Sequence, residues 1–214
     1  MTQSYFLKYE KIAWKKGYKS IAGIDEAGRG SLAGPVVAAA VIFNKEYIIK
    51  SQNNIYSKLT DSKKLTEGKR DHFYKLLTND DYVNIGVGII SSCEIDKINI
   101  LNATHKAMIQ ALECLHYDYI LVDGLAVPGF SCDSKNIIKG DLLSLSISAA
   151  SVIAKVTRDK IMKKESFNYP EYNFDEHKGY GTKKHIDAIK KFGPTLIHRY
   201  SYKPISTMLE TIKK

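Results

Sequence analysis

The chain has 214 residues, 44% of them hydrophobic, and 32 Lys plus Arg against 23 Asp plus Glu give a formal net charge of +9. That length supports one sizeable core, and the apolar share excludes a disordered chain. No apolar run nears the roughly 20 residues of a membrane span, and the opening MTQSYFLKYEKIAWKKGYKS lacks the apolar heart of a secretory signal.

In chain order, residues 20–27 and 35–43 read as a strand pair joined by a glycine-rich connection, within the stretch GIDEAGRGSLAG at 23–34. VVAAAVIF is continuously apolar, as a strand buried on both faces should be. Residues 44–65 read as a polar loop carrying Asp61-Ser62-Lys63-Lys64-Leu65. Thr66 then caps a helix to about Leu77. Tyr82 to Ile90 read as a strand, and Leu101 to Leu115 as a helix with Met108, Ala111, Leu112 and Leu115 on one face. Tyr119 to Val122 form a short buried strand ending at Asp123-Gly124. Residues 136–139 give another, ending at Gly140-Asp141. Leu145 to about Lys164 read as a helix, with Ala149, Val152, Ile153 and Val156 on one face. Residues 166–214, rich in Tyr, Lys and His, read as a helical segment wrapping the main domain. Strands interspersed with helices argue for an α/β or mixed-sheet fold.

Three carboxylate sites thus fall just past apolar strands: Asp25-Glu26, Asp123 and Asp141. In open α/β sheets the functional crevice lies beyond strand ends. Four carboxylates gathered there repel one another unless cations neutralise them. Oxygen ligands without a Cys/His cluster favour Mg²⁺ or Mn²⁺ over Zn²⁺. The glycines of Gly28-Arg29-Gly30 let backbone N–H groups approach a phosphate closely. Together these features point to chemistry on a phosphodiester. An isolated Asp after a strand is by itself an ordinary turn residue, and Asp123-Gly124 alone is a turn signal. Asp159 has Lys163 four residues on, so a surface ion pair accounts for it.

The net charge favours a polyanionic partner, nucleic acid or an anionic membrane, over a merely lysine-rich solvated surface. Lys178, Lys183, Lys184, Lys190 and Lys191, near Tyr180 and Phe192, make a duplex-binding patch. Lys155 and Arg158 either face nucleic acid or form a solvated helix face. Tyr180, between two glycines, is either a packed turn or a stacking platform. His177, His185 and His198 lack metal-ligand spacing and read as structural or phosphate-contacting. Ser148 and Ser151 suit close packing. Cys93, Cys114 and Cys132 are isolated, which argues against zinc or disulfides and for a reducing cytosol.

DEAGRG at 25–30, DSKKL at 61–65, VDG at 122–124, KGD at 139–141, SAASVIAKVTRD at 148–159, HKGYGT at 177–182 and HR at 198–199 follow one another in a fixed order. In this series the sequence resembles the ribonuclease HII (type 2 ribonuclease H) family. The resemblance implies an α/β fold, an RNase H-like mixed sheet flanked by helices. Residues 1–165 would be the catalytic core and 166–214 a C-terminal helical substrate-binding extension packed on it, in one structural domain. It implies Mg²⁺- or Mn²⁺-dependent hydrolysis of the RNA strand of RNA–DNA hybrids. It also implies incision 5′ to single ribonucleotides in duplex DNA, leaving 3′-hydroxyl and 5′-phosphate ends. Asp25, Glu26, Asp123 and Asp141 correspond to the metal-binding catalytic set. Gly28, Arg29 and Gly30 correspond to the turn that reads the ribose 2′-hydroxyl, and Tyr180 to the tyrosine at the junction sugar. Ser62 and Lys63 are assigned a phosphate or site-supporting role. The resemblance further implies a cytoplasmic protein without a membrane partner, and a monomer is the default. The alternative is a non-catalytic nucleic-acid-binding protein on the same scaffold. Ribonuclease HIII, which carries an extra N-terminal domain, is disfavoured because only about twenty residues precede the first motif.

Overall fold

VVAAAVIF becomes β2 (Val36–Phe43), buried along its whole length in the middle of a five-stranded sheet. The computed structural model describes residues 6–50, 55–59, 65–124 and 126–212. Among them the strands β1 (Ile21–Ala27), β2, β3 (Val83–Ile90), β4 (Tyr119–Asp123) and β5 (Ser134–Ile137) lie in the order β3-β2-β1-β4-β5. β1, β2 and β3 are antiparallel, whereas β4 and β5 run parallel to β1. The mixed sheet is the one the alternation of elements predicts.

Side chains of β2 alternate between two cores, because successive Cβ atoms point to opposite faces. Ala39, Val41 and Phe43 pack against the long helix Leu145–Asn168. Val36, Ala38, Ala40 and Ile42 pack against the helix Ser92–Leu112. In chain order the helices are α1 (Lys8–Lys15), α2 (Lys45–Lys50), α3 (Glu67–Thr78), α4 (Ser92–Leu112), α5 (Leu145–Asn168), α6 (Phe174–His177), α7 (Lys183–Phe192) and α8 (Ile205–Ile212).

Local chemistry sets several boundaries. Thr66, Ser91, Ser144 and Thr182 each accept a backbone N–H at the start of α3, α4, α5 and α7, as N-caps do. α4 begins nine residues before the expected Leu101, but Asn99 takes φ 65° and divides it. The apolar periodicity locates only the part beyond that break. The stretch read as a polar loop from 44 holds α2 and a short 3-10 turn, Ile55–Lys58. α1 is a short amphipathic helix that no expectation covered. It is anchored by Glu10, whose Oε1 accepts Ser144 Oγ (2.6 Å), Ser146 N–H (3.0 Å) and Ser146 Oγ (3.0 Å).

The C-terminal segment closes over the start of the molecule. Tyr172, Phe174, Ala188, Ile189 and Ile205 pack with Leu32, Ala33 and Met162. Leu32 N–H donates to Gly179 C=O (2.8 Å), Gly34 N–H to Ile197 C=O (2.8 Å), and Arg199 N–H to Leu32 C=O (2.9 Å). The loop after β1 is thereby bonded to the loops around residues 179 and 197–199. Among the described residues no helix is long and apolar enough to cross a membrane.

Candidate active site

Strand register brings the first carboxylates together. Ile24 of β1 stands opposite Val122 of the parallel β4, so the next residues, Asp25 and Asp123, come side by side, Asp25 still paired with Ala39 of β2 and Asp123 the last residue of β4. Asp123 Oδ1 accepts Gly140 N–H at 2.7 Å. That bond draws the 3-10 turn Gly140–Leu142, with the buried Asp141, against the end of β4. Asp25 points to the α5 side of the sheet, bonded by Ser151, while its Oδ1 also accepts Glu26 N–H at 2.7 Å. Burial, then the charges of Glu26 and Asp123, push the Asp25 carboxyl well above the usual carboxylate range. Glu26 is paired with Arg29, Oε1 to Nη1 3.1 Å.

Two buried arginines underlie the loop after β1, Arg199 beneath the Gly28-Arg29-Gly30 turn and Arg158 beneath residues 33–35. Arg199 Nη2 donates to Gly28 C=O (2.7 Å), Nη1 to Arg29 C=O (2.8 Å), and Nε to Gly34 C=O (3.1 Å). Arg158 donates from Nε to Pro35 C=O (2.9 Å), from Nη2 to Ala33 C=O (3.0 Å) and from Nη1 to Lys178 C=O (2.9 Å). Gly28 has φ +95°, and a Cβ there would lie 2.0 Å from Arg158 Nε. Both facts demand glycine. Arg158 is wholly buried, so neither expectation for it, nucleic-acid contact or solvated face, holds. Its charge serves backbone carbonyls that would otherwise be orphaned.

Tyr180 forms the far wall. Asp25, Glu26, the 28–30 turn, Ser151, Lys155 and Tyr180 together line a cleft of about 280 Å³. Asp123 and Asp141 are not among its walls. The Tyr180 ring rests over the Arg158 guanidinium (5.4 Å to the centroid) and near Lys155 Nζ (5.6 Å). Lys155 pairs with Asp159 at 2.7 Å, so the ion pair expected between Asp159 and Lys163 is not formed. Lys163 instead reaches Glu67 at 2.6 Å. The spacing i,i+4 permitted either partner, and the packing of α3 against α5 decides.

Ser151 was read as a packing residue and is also the hydrogen-bond partner of Asp25. A small-residue helix gives no sign of which serine faces a strand end, so only the fold could find it. Ser62 and Lys63 lie outside the described residues. Of the lysine patch, Lys184 is tied to Glu176 at 2.8 Å, while Lys183, Lys190 and Lys191 are exposed.

His177, His185 and His198 are buried beneath Tyr180, with the His177 and His185 rings stacked 4.4 Å apart. Burial depresses all three, and His185 and His198 fall to about 4. A histidine depressed in the folded state stabilises it fully above the unfolded value near 6.5 and loses that contribution as pH falls toward 4. Each ring then costs up to about 1.4 kcal/mol per pH unit in that window. Asp25 and Glu10, raised by burial, act with the opposite sign. A difference experiment isolates the histidines. On moving from pH 7 to pH 4.5, the denaturant midpoint of the native chain should fall further than that of His185→Gln. An equal fall in both would contradict the assignment.

The donor set suits a hard divalent cation. A buried carboxyl whose proton affinity is raised by two neighbouring carboxylates marks a site short of positive charge. Among the described residues no three acidic, imidazole or thiol groups converge as a ready-made cage. Hard divalent cations of this kind keep waters and take one or two carboxylates together with substrate phosphates.

Comparison with known proteins bears on this geometry. The family model "Ribonuclease HII" matches residues 22–205. The chain is 50% identical over 196 residues to ribonuclease HII of Clostridioides difficile (strain 630), covering 91% of this chain and 74% of that protein. It is 48% identical over 204 residues to ribonuclease HII of Chlamydia trachomatis serovar L2, covering 94% and 90%. Among solved structures it resembles ribonuclease H2 from Pyrococcus horikoshii OT3, with TM-score 0.73, 26% identity, and 91% and 99% of the two chains covered.

Proposed function

The chain belongs to the ribonuclease HII family, and from that premise we propose that it incises duplex DNA 5′ to a single embedded ribonucleotide, by two-metal-ion hydrolysis at Asp25, Glu26, Asp123 and Asp141. Its broader activity is that of the family: a metal-dependent endonuclease that hydrolyses the RNA strand of RNA–DNA hybrids. The observation that carries the proposal is the single cleft uniting the Asp25-Glu26 pair, the Gly28–Gly30 turn and Tyr180.

Each residue has a part the geometry makes intelligible. Asp25, Glu26, Asp123 and Asp141 would hold Mg²⁺ or Mn²⁺. When bound, such ions neutralise charge at the attacking and leaving oxygens and acidify a water. Glu26 and Asp25 orient that water by accepting its hydrogens. The Gly28–Gly30 backbone meets the ribose 2′-hydroxyl, the group that tells RNA from DNA. A rigid turn matters here, because a site built around a hydroxyl rejects its absence only when its own polar groups are left unpaired. The brace of Arg199 and Arg158 supports that rigidity. Tyr180 presents a flat ring to the neighbouring sugar, selecting RNA followed by DNA. Arg29 and Lys155 supply positive charge to the backbone phosphates.

The 166–214 segment acts as the substrate-binding extension, with exposed Lys183, Lys190 and Lys191 following the duplex. Ser62 and Lys63 support the phosphate side. Every residue invoked belongs to one chain, so a monomer suffices. The proposed compartment is the cytoplasm, where exposed Cys93 and Cys114 stay thiols.

The test is a labelled DNA duplex with one ribonucleotide, with and without Mg²⁺. A metal-dependent nick 5′ to the ribose, ending in 3′-hydroxyl, is expected. Cleavage of a uniform RNA–DNA hybrid without any cut at the lone ribonucleotide would refute the junction assignment.

A further inference from the structure

The three buried histidines lie away from the carboxylates, yet their ring nitrogens have fixed partners. A backbone N–H can only donate. Thr195 N–H meets His198 Nδ1 at 2.9 Å, so that nitrogen accepts. The neutral ring then carries its proton on Nε2, which stands 3.0 Å from His185 Nε2. His185 accepts there, and its own proton is on Nδ1, 2.9 Å from the Tyr180 carbonyl. His177 is fixed likewise. Gly179 N–H donates to its Nδ1 (3.2 Å), and its Nε2–H donates to Tyr172 C=O (2.6 Å). One directed chain of donors therefore runs from Thr195 through His198 and His185 to Tyr180. The Gly179-Tyr180 unit is gripped at its N–H by one imidazole and at its C=O by another, and the two rings are stacked 17° from parallel.

We propose that His185 is a positioning residue for Tyr180: its Nδ1–H, ordered by His198, sets the Tyr180 carbonyl and with it the angle at which the ring meets the junction sugar. This rests on the reading of Tyr180 as the group that selects RNA followed by DNA. The relay requires the less common Nδ1–H form in one ring alone, and the effect on substrate choice tells positioning from core filling.

Two measurements test it. Long-range proton–nitrogen spectra of the full chain labelled with ¹⁵N-histidine, at pH 7, should show two buried rings in the Nε2–H form and one in the Nδ1–H form. The Nδ1–H signals should vanish in His185→Asn. A His185 ring protonated on Nε2 overturns the relay, and this holds whether or not any variant folds. The second measurement is the ratio of kcat/KM on the single-ribonucleotide duplex to that on a uniform hybrid. His185→Ala should lower the ratio by about tenfold, as small misplacements of positioning groups do. His185→Asn, whose amide nitrogen occupies the Nδ1 place, should restore most of it. An unchanged ratio in His185→Ala overturns the positioning role. An unchanged ratio in Tyr180→Ala instead overturns the reading of Tyr180, a failure distinguishable because the proton placement is read independently of activity.

Discussion

Replacing Asp25 by Asn should abolish hydrolysis and, in metal-free buffer at pH 7, raise the melting temperature. The two effects have one cause. Asp25 is buried beside Glu26 and Asp123, and all three circumstances disfavour its charged form. A carboxyl raised in the folded state contributes stability at low pH and loses it as pH rises through the folded value. Asn removes that loss, so its advantage should grow with pH and disappear in acid. The same charge is what would hold a divalent cation, so kcat should fall on the order of a thousandfold or more. Binding of a ribonucleotide-containing duplex should persist, which separates the enzyme from a protein that only binds nucleic acid. A destabilised Asn variant that still cleaves would contradict the electrostatic account of the site.

Arg199→Met should be nearly as severe for a different reason. The guanidinium is wholly buried and donates to the carbonyls of Gly28, Arg29 and Gly34. Met fills the volume but strands the Gly34 C=O, which accepts from Arg199 twice, and leaves the Gly28 C=O a long bond from Ser31 N–H (3.4 Å) and the Arg29 C=O the Tyr202 hydroxyl (2.9 Å). A stranded acceptor costs about 1–3 kcal/mol, and the lost charge-assisted bonds to the other two add to it, so a loss on the order of 3 kcal/mol is expected in denaturant unfolding. Activity on the lone ribonucleotide should fall further than stability explains, since the turn loses its fixed shape. A change below about 1 kcal/mol would show that the brace is incidental.

The sheet was legible because it rests on short-range patterns. Apolar runs mark the strands, but they stop short of showing that β1 continues through Asp25 and Glu26 to Ala27. The parallel register of Ile24 with Val122 then makes neighbours of residues nearly a hundred positions apart. What the pattern hid was every group whose role depends on a distant backbone. Arginine is a surface residue by composition, and only the path of the 28–35 loop reveals why Arg158 and Arg199 are inside. Ser151 is one serine among several on α5, singled out by the direction of Asp25. Asp159 had two lysines in helical reach, and tertiary packing chose. α1 spans only eight residues, and what fixes its place is one buried glutamate accepting from the two serines at the head of α5.

The arginine brace also imposes an order in time. A ribosome moves from the amino to the carboxyl end, so all four acidic residues are made well before residue 199. A nascent chain that has not reached Arg199 therefore carries the four carboxylates but not the clamp on the Gly28-Arg29-Gly30 turn. The 28–34 loop can take its final shape only once that residue is present, so the cleft is completed after every strand of the sheet, the last of which ends at Ile137, has already been made.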